Sequence, residues 1–152
     1  MGITQDLIGH VHEIKYDSLP EEARDRAKYF LLDYFGVALR ASEAGSSRVF
    51  YNFVKKSAPQ GPCRLVGAPI RTDAPNAALA NGGVAHAIEM DDVTTRSSLH
   101  PAVSVMPSTI ACAEAHNPDP KRVIEAIVAG YEVTNRVGNA INPKSHYERG
   151  FH

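Results

Sequence analysis

Three stretches of this 152-residue chain, 76–88, 102–116 and 121–141, are unusually rich in alanine, glycine and valine. Helices with small side chains let their backbones approach closely, so segments of this kind belong at the centre of a body rather than on its rim. A chain of this length needs few such interior helices for one core, and the pattern predicts that partner surface lies outside it. None of the apolar runs reaches the roughly 18 residues that a membrane span requires.

The other periodicities are helical too. Ile3, Leu7, Ile8, Val11 and Ile14 form one stripe over Ile3 to Ile14. Asp17 or Ser18 as cap, Pro20 in the first turn and the glutamates 21 and 22 start a second helix, running from Pro20 to Ala41. Val49, Phe50, Phe53 and Val54 give a shorter one. Ala58 to Pro69, with its prolines and glycines, reads as an irregular connection with one short strand near Cys63 to Val66. A helix opens at Asp73-Ala74-Pro75 and extends to Ile88, and Met90 to Pro101 is a polar loop. Ala102 to His116 is a buried helix in which Pro107 signals a kink or a later start. Asp119 caps the last long helix, which ends near Ile141, and a polar tail follows Asn142-Pro143. The expectation is an all-α array of five or six helices in one unit, 1–152.

Composition removes several classes of function. The net charge of -1 and pI near 6.6 lack the basic excess of a nucleic-acid binder. Cys63 and Cys112 are too few for a disulfide framework or for the three or four thiolates of an iron–sulfur cluster. Cys112, midway along an apolar run, reads as a structural residue. The first residues lack the basic and apolar regions of a signal peptide, and Asp6 spoils a myristoylation site, so a cytoplasmic compartment is expected.

Titratable residues gather in His86-Ala87-Ile88-Glu89-Met90-Asp91-Asp92 and His100-Pro101. His86 and Glu89, three apart at a helix end, share a face. Asp91 and Asp92 leave that helix at the negative end of its dipole, a placement that needs a reason. Adjacent carboxylates with a histidine nearby suit acid–base work. Residue types alone leave two other readings open: a solvated loop with capping side chains, or a metal site of His86, Glu89, Asp92 and His100. His10, His12 and His116 read as surface or dipole-complementing residues, and His146 lies in the tail. Neither a phosphate-binding glycine loop nor a G-x-S-x-G elbow is present.

The ordered set Asn81-Gly82, Ala85-His86-Ala87, Asp91-Asp92, His100-Pro101, Ala113-Glu114, Ala126-Ile127-Val128-Ala129-Gly130-Tyr131-Glu132-Val133 and Gly150-Phe151-His152 resembles the MmgE/PrpD family. That family includes 2-methylcitrate dehydratase, cis-aconitate decarboxylase and iminodisuccinate epimerase. The resemblance runs from Pro20 to the last residue and is densest after Leu79. It implies a helical domain joined to a smaller α/β lid, usually in a homodimer, and cofactor-free, metal-free chemistry on a di- or tricarboxylic acid. Carried across, His100 and His152 match the active-site histidines and Asp91 and Asp92 the acidic pair beside them. Glu89 falls where relatives often have another acid. Glu89, His86, Arg96 and Arg149 are expected around the substrate.

Departures from the family pattern shape the expectation. Ala102 follows His100-Pro101 where relatives commonly have glycine or serine, and Asn117-Pro118-Asp119-Pro120 replaces a glycine-containing turn. The family's lysines and its lid lie beyond the second histidine, so the resemblance implies a truncated form or one chain of a split enzyme. A complementing C-terminal chain, a homo-oligomer or both would then finish the site, and no nucleic acid or membrane partner is expected. Dehydration stands first among the reactions, then decarboxylation, then epimerisation. A non-catalytic homologue acting as a binding partner is the alternative.

Overall fold

The computed structural model describes residues Gly2 to Gly150. Among them are seven α-helices: α1 (Ile3–Glu13), α2 (Glu21–Ala41), α3 (Ser47–Ser57), α4 (Ala74–Ala85), α5 (Ala102–His116), α6 (Pro120–Ala140) and α7 (Pro143–Glu148). The fold is all-α apart from a two-stranded antiparallel hairpin, β1 (Cys63–Arg64) with β2 (Arg71–Thr72), in which Cys63 faces Thr72. None of these helices is long and apolar enough to cross a membrane.

The small-residue pattern is realised at the centre in α4 and α5, whereas α6 buries only Ile127 and Gly138 and lies nearer the rim. Helix α4 buries Ala77, Ala80, Asn81, Gly82, Val84 and Ala85, with Pro75 and Leu79 as its exposed positions. Its most extensive partner is α5. Pro107 has no N–H to give to the Val103 carbonyl four residues back. Gly82 lies over that carbonyl, so closely that a Cβ there would stand 2.6 Å from the oxygen. The proline neither breaks α5 nor delays its start: the helix is continuous from Ala102, with Pro107 fully buried. One core cluster joins Tyr34, Ala38, Ala85, Ala102, Met106 and Ile127 from α2, α4, α5 and α6. A second, around Val54, Cys63, Leu65, Ala77, Ala80 and Ala111, seats the hairpin.

Two side chains from the family-like motifs prove to be fasteners for that hairpin. The buried Asn81 amide accepts from Val66 N–H at 2.9 Å and donates to the Arg64 carbonyl at 2.9 Å. Glu114 of α5 accepts from the Arg64 backbone N–H at 2.7 Å and from its guanidinium at 2.5 Å.

Several local expectations change. Neither Asp17 nor Ser18 caps α2: Pro20 stands at the cap, and the Ser18 hydroxyl donates back to the Lys15 carbonyl within a 3₁₀ turn. Asp119 does cap α6, accepting from Lys121 N–H at 2.8 Å. Cys112 is exposed, on the outer side of α5, while Cys63 is buried and donates to the Ala111 carbonyl. The polar tail contains a short helix, α7, and β2 adds a second strand to the one expected.

Candidate active site

Helix α4 gives way to a 3₁₀ turn, His86–Ile88, and the chain then leaves the helical stack as a loop that returns at Ala102. Glu89 turns it in the left-handed conformation (φ 54°), as does Ser98 (φ 54°). Within the loop Thr94 and Leu99 form a bridge that encloses Ser98, with backbone N–H groups donating both ways at 2.9 and 3.3 Å. The fold of this loop brings His100 back beside His86, with ring centroids 5.0 Å apart and planes at 66°.

Asp91 sits between the two rings. One carboxylate oxygen is 3.0 Å from His86 Nδ1 and the other 2.8 Å from His100 Nδ1. Its side chain is 2% exposed, against 41% for His86 and 33% for His100. A buried carboxylate needs its lone pairs satisfied, and two ring N–H donors do that. With both Nδ1 positions turned to Asp91, the Nε2 atoms are the outward, working positions. Glu89 reaches one of them: its carboxylate lies 3.3 Å from His86 Nε2 and is 70% exposed.

Asp92 takes the opposite direction. One oxygen accepts the Ala102 N–H at the start of α5 at 2.9 Å, and the other accepts the Tyr131 hydroxyl of α6 at 2.7 Å. This is the reason for two carboxylates at the exit of α4. Asp92 serves the positive end of the next helix, whose Pro101 cap offers no side-chain acceptor. Adjacency in sequence does not make Asp91 and Asp92 an acidic pair; they bond to separate partners. Burial, reinforced by the Asp92 carboxylate, raises the Tyr131 hydroxyl above its ordinary value, which keeps it a donor.

The metal set read from the sequence loses Asp92 for the same reason. His86, Asp91 and His100 do each present a ligand atom within 4.8 Å of the others. Two imidazoles and a carboxylate suit zinc or iron in type. Here the ring nitrogens that face inward already share the Asp91 carboxylate.

Of the other expected residues, Arg96 is exposed on the loop and Arg149 exposed at the end of α7, and neither bonds to the histidine cluster. His152 lies outside the described residues. A groove of about 1130 Å³ lies elsewhere, lined by Leu31, Phe35, Ile110 and Ile124 together with Lys28 and Arg64. Sequence reasoning gave Tyr131 no role beyond its place in the 126–133 motif, and it missed the buried Ser97, which donates to Asn135 at 2.8 Å. The signal was available: Tyr131 and Asn135, polar-tipped and four apart, share one face of α6.

Residues 5–152 match the MmgE/PrpD N-terminal domain. A cis-aconitate decarboxylase-like protein, oryM, of Aspergillus oryzae is 29% identical over 99% of this chain and 33% of its own length. Cis-aconitate decarboxylases of Aspergillus terreus and Mus musculus are 28% and 25% identical, each over 99% of this chain and 32% of their own. The chain therefore spans about a third of the length of these curated relatives. With a matched domain that covers nearly every residue and a helical architecture to go with it, this chain belongs to the MmgE/PrpD family.

Proposed function

We propose that this chain supplies the acid–base half of a lyase site for a di- or tricarboxylic acid. The observation that carries the reading is the buried Asp91 carboxylate bridging two half-exposed imidazoles. Asp91 fixes both tautomers, which leaves His100 Nε2 with a lone pair for proton abstraction. His86, with Asp91 on one nitrogen and Glu89 near the other, is placed to hold and deliver a proton. In a dehydration one ring takes the C–H proton beside a carboxylate, the other protonates the departing hydroxyl, and water leaves. In a decarboxylation one proton goes onto an alkene carbon while the C–CO2 bond breaks and its electron pair forms the new double bond.

The named relatives favour decarboxylation of a cis-aconitate-like substrate as the first reaction to assay, with 2-methylcitrate dehydration beside it. A polyanion needs fixed positive charge around it. Arg96 and Arg149 are the candidates that the sequence offers on this chain, and the remaining cations come from further protein: a longer chain, a complementing chain or a second subunit. His152 remains a proposed second histidine of that completed site.

Native mass spectrometry of the purified protein identifies every component of the assembly, and turnover of both substrates is then followed on it. Replacement His100→Gln should lower turnover by about 10²–10⁴-fold, the usual range for a general acid or base, with the fold intact by circular dichroism. Undiminished turnover in that variant would sink the assignment.

A further inference from the structure

The loop that carries the histidine cluster touches α6 at three successive levels of one helix face. Tyr131 donates to Asp92, Asn135 accepts from Ser97, and Gly138 lies against the Ser97 carbonyl and Leu99. These positions are i, i+4 and i+7, a straight line along the helix. At Gly138 a side chain is excluded, since a Cβ would stand 2.9 Å from the Ser97 carbonyl oxygen. Tyr131 is itself held flat against Phe30 of α2, with centroids 5.1 Å apart and planes at 13°. Through Asp92 the tyrosine reaches the Ala102 N–H, two residues beyond His100.

We infer that this face of α6 is the platform that sets the orientation of His100, with Tyr131 acting as a positioning residue through Asp92. The inference rests on the reading of His100 as a proton-transfer group only for its kinetic consequence; its geometric content stands apart. The His100 ring is fixed from two sides. Asp91 fixes its tautomer, and the Tyr131–Asp92–Ala102 relay fixes the backbone from which it projects. Tyr131 and Asp92 bond to each other and to the Ala102 N–H rather than to either imidazole, so their removal tilts the base without removing it. A misplacement of about 1 Å is enough to cost up to 10²-fold in rate.

The test is Tyr131→Phe, which keeps the ring and its Phe30 contact and deletes only the hydroxyl, with Asp92→Asn beside it. Asparagine retains an oxygen for the Ala102 N–H, and its amide can donate to the tyrosine. Nitrogen-15 NMR of the histidine side chains reads the tautomer and hydrogen-bonding environment of His100, in the protein as purified and without substrate. The expected result is a displaced or exchange-broadened His100 signal in Tyr131→Phe, with the helical content unchanged, and a smaller change in Asp92→Asn. On the active assembly kcat should fall about tenfold or more in Tyr131→Phe while KM moves less than threefold. A His100 signal at its wild-type position in Tyr131→Phe overturns the inference, even if the variant melts earlier. If the wild-type assembly turns over neither substrate, the lyase reading fails and the NMR result still decides the positioning role.

Discussion

At the scale of single residues, Asp91 and Glu89 carry opposite kinds of cost. Asp91 is buried and bonded to two rings, so Asp91→Asn forces one imidazole either to change tautomer or to lose its partner. We expect a stability loss of about 1–3 kcal/mol for the donor left unpaired, read by urea denaturation, together with a collapse of turnover. Glu89 is exposed but sits at φ 54°, a conformation that non-glycine residues adopt at a cost of about 1–2 kcal/mol. Glu89→Gly should therefore raise the urea midpoint while lowering turnover; a variant both less stable and fully active would contradict the strain and the role at once. The sequence made His86, Glu89, Asp91 and His100 visible because they crowd into 15 positions. It could not say that Asp92 faces the other way, because that depends on where α5 begins and on a tyrosine 39 residues downstream.

Among the helices, the decisive contacts are made by absent side chains. Gly82 meets the Val103 carbonyl, whereas Gly36, in the exposed middle of α2, meets nothing within 4 Å. Alanine should accordingly act in opposite directions at the two sites. Gly82→Ala must push backbone apart at the α4–α5 crossing and should destabilise by about 1–3 kcal/mol. Gly36→Ala should stabilise by about 0.5–1 kcal/mol through helix propensity alone. Thermal melts of the two variants test the pair, and a stabilising Gly82→Ala would refute the packing argument. Helix positions were legible from apolar spacing, as was the central place of α4 and α5, though not the more peripheral place of α6. Pro107 did not delay the start of α5, and the carbonyl it leaves without a donor lies against Gly82 of the neighbouring helix. The short α7 and strand β2 were illegible because a handful of polar residues carries no usable period.

For the molecule as a whole, two buried phenols set a response to alkali. Burial raises both Tyr34 and Tyr131 above the ordinary tyrosine value of 10.0, and Asp92 adds to the effect at Tyr131. The unfolded chain ionises first, so the stability they contribute is complete below about pH 10 and is lost as pH rises beyond it. Denaturant midpoints should hold constant on the acid side of that value and fall above it, less steeply in Tyr34→Phe; an unchanged slope would contradict the burial of this hydroxyl. The prediction of missing partner surface also belongs at this scale. Tyr29, Leu32 and Leu39 line an exposed side of α2, and the chain spans about a third of its relatives.

The loop between α4 and α5 also has a history within each folding event. The bonds that assemble the histidine cluster close over only five and nine residues. Those that tie it to α6 close over 38 and 39. Short closures form early and long ones wait for helices to dock. The cluster can gather in a partly folded chain, but it becomes oriented only when α6 arrives. Hydrogen exchange should register this as an Ala102 amide that opens together with α6, later protected on refolding than the amides of α4.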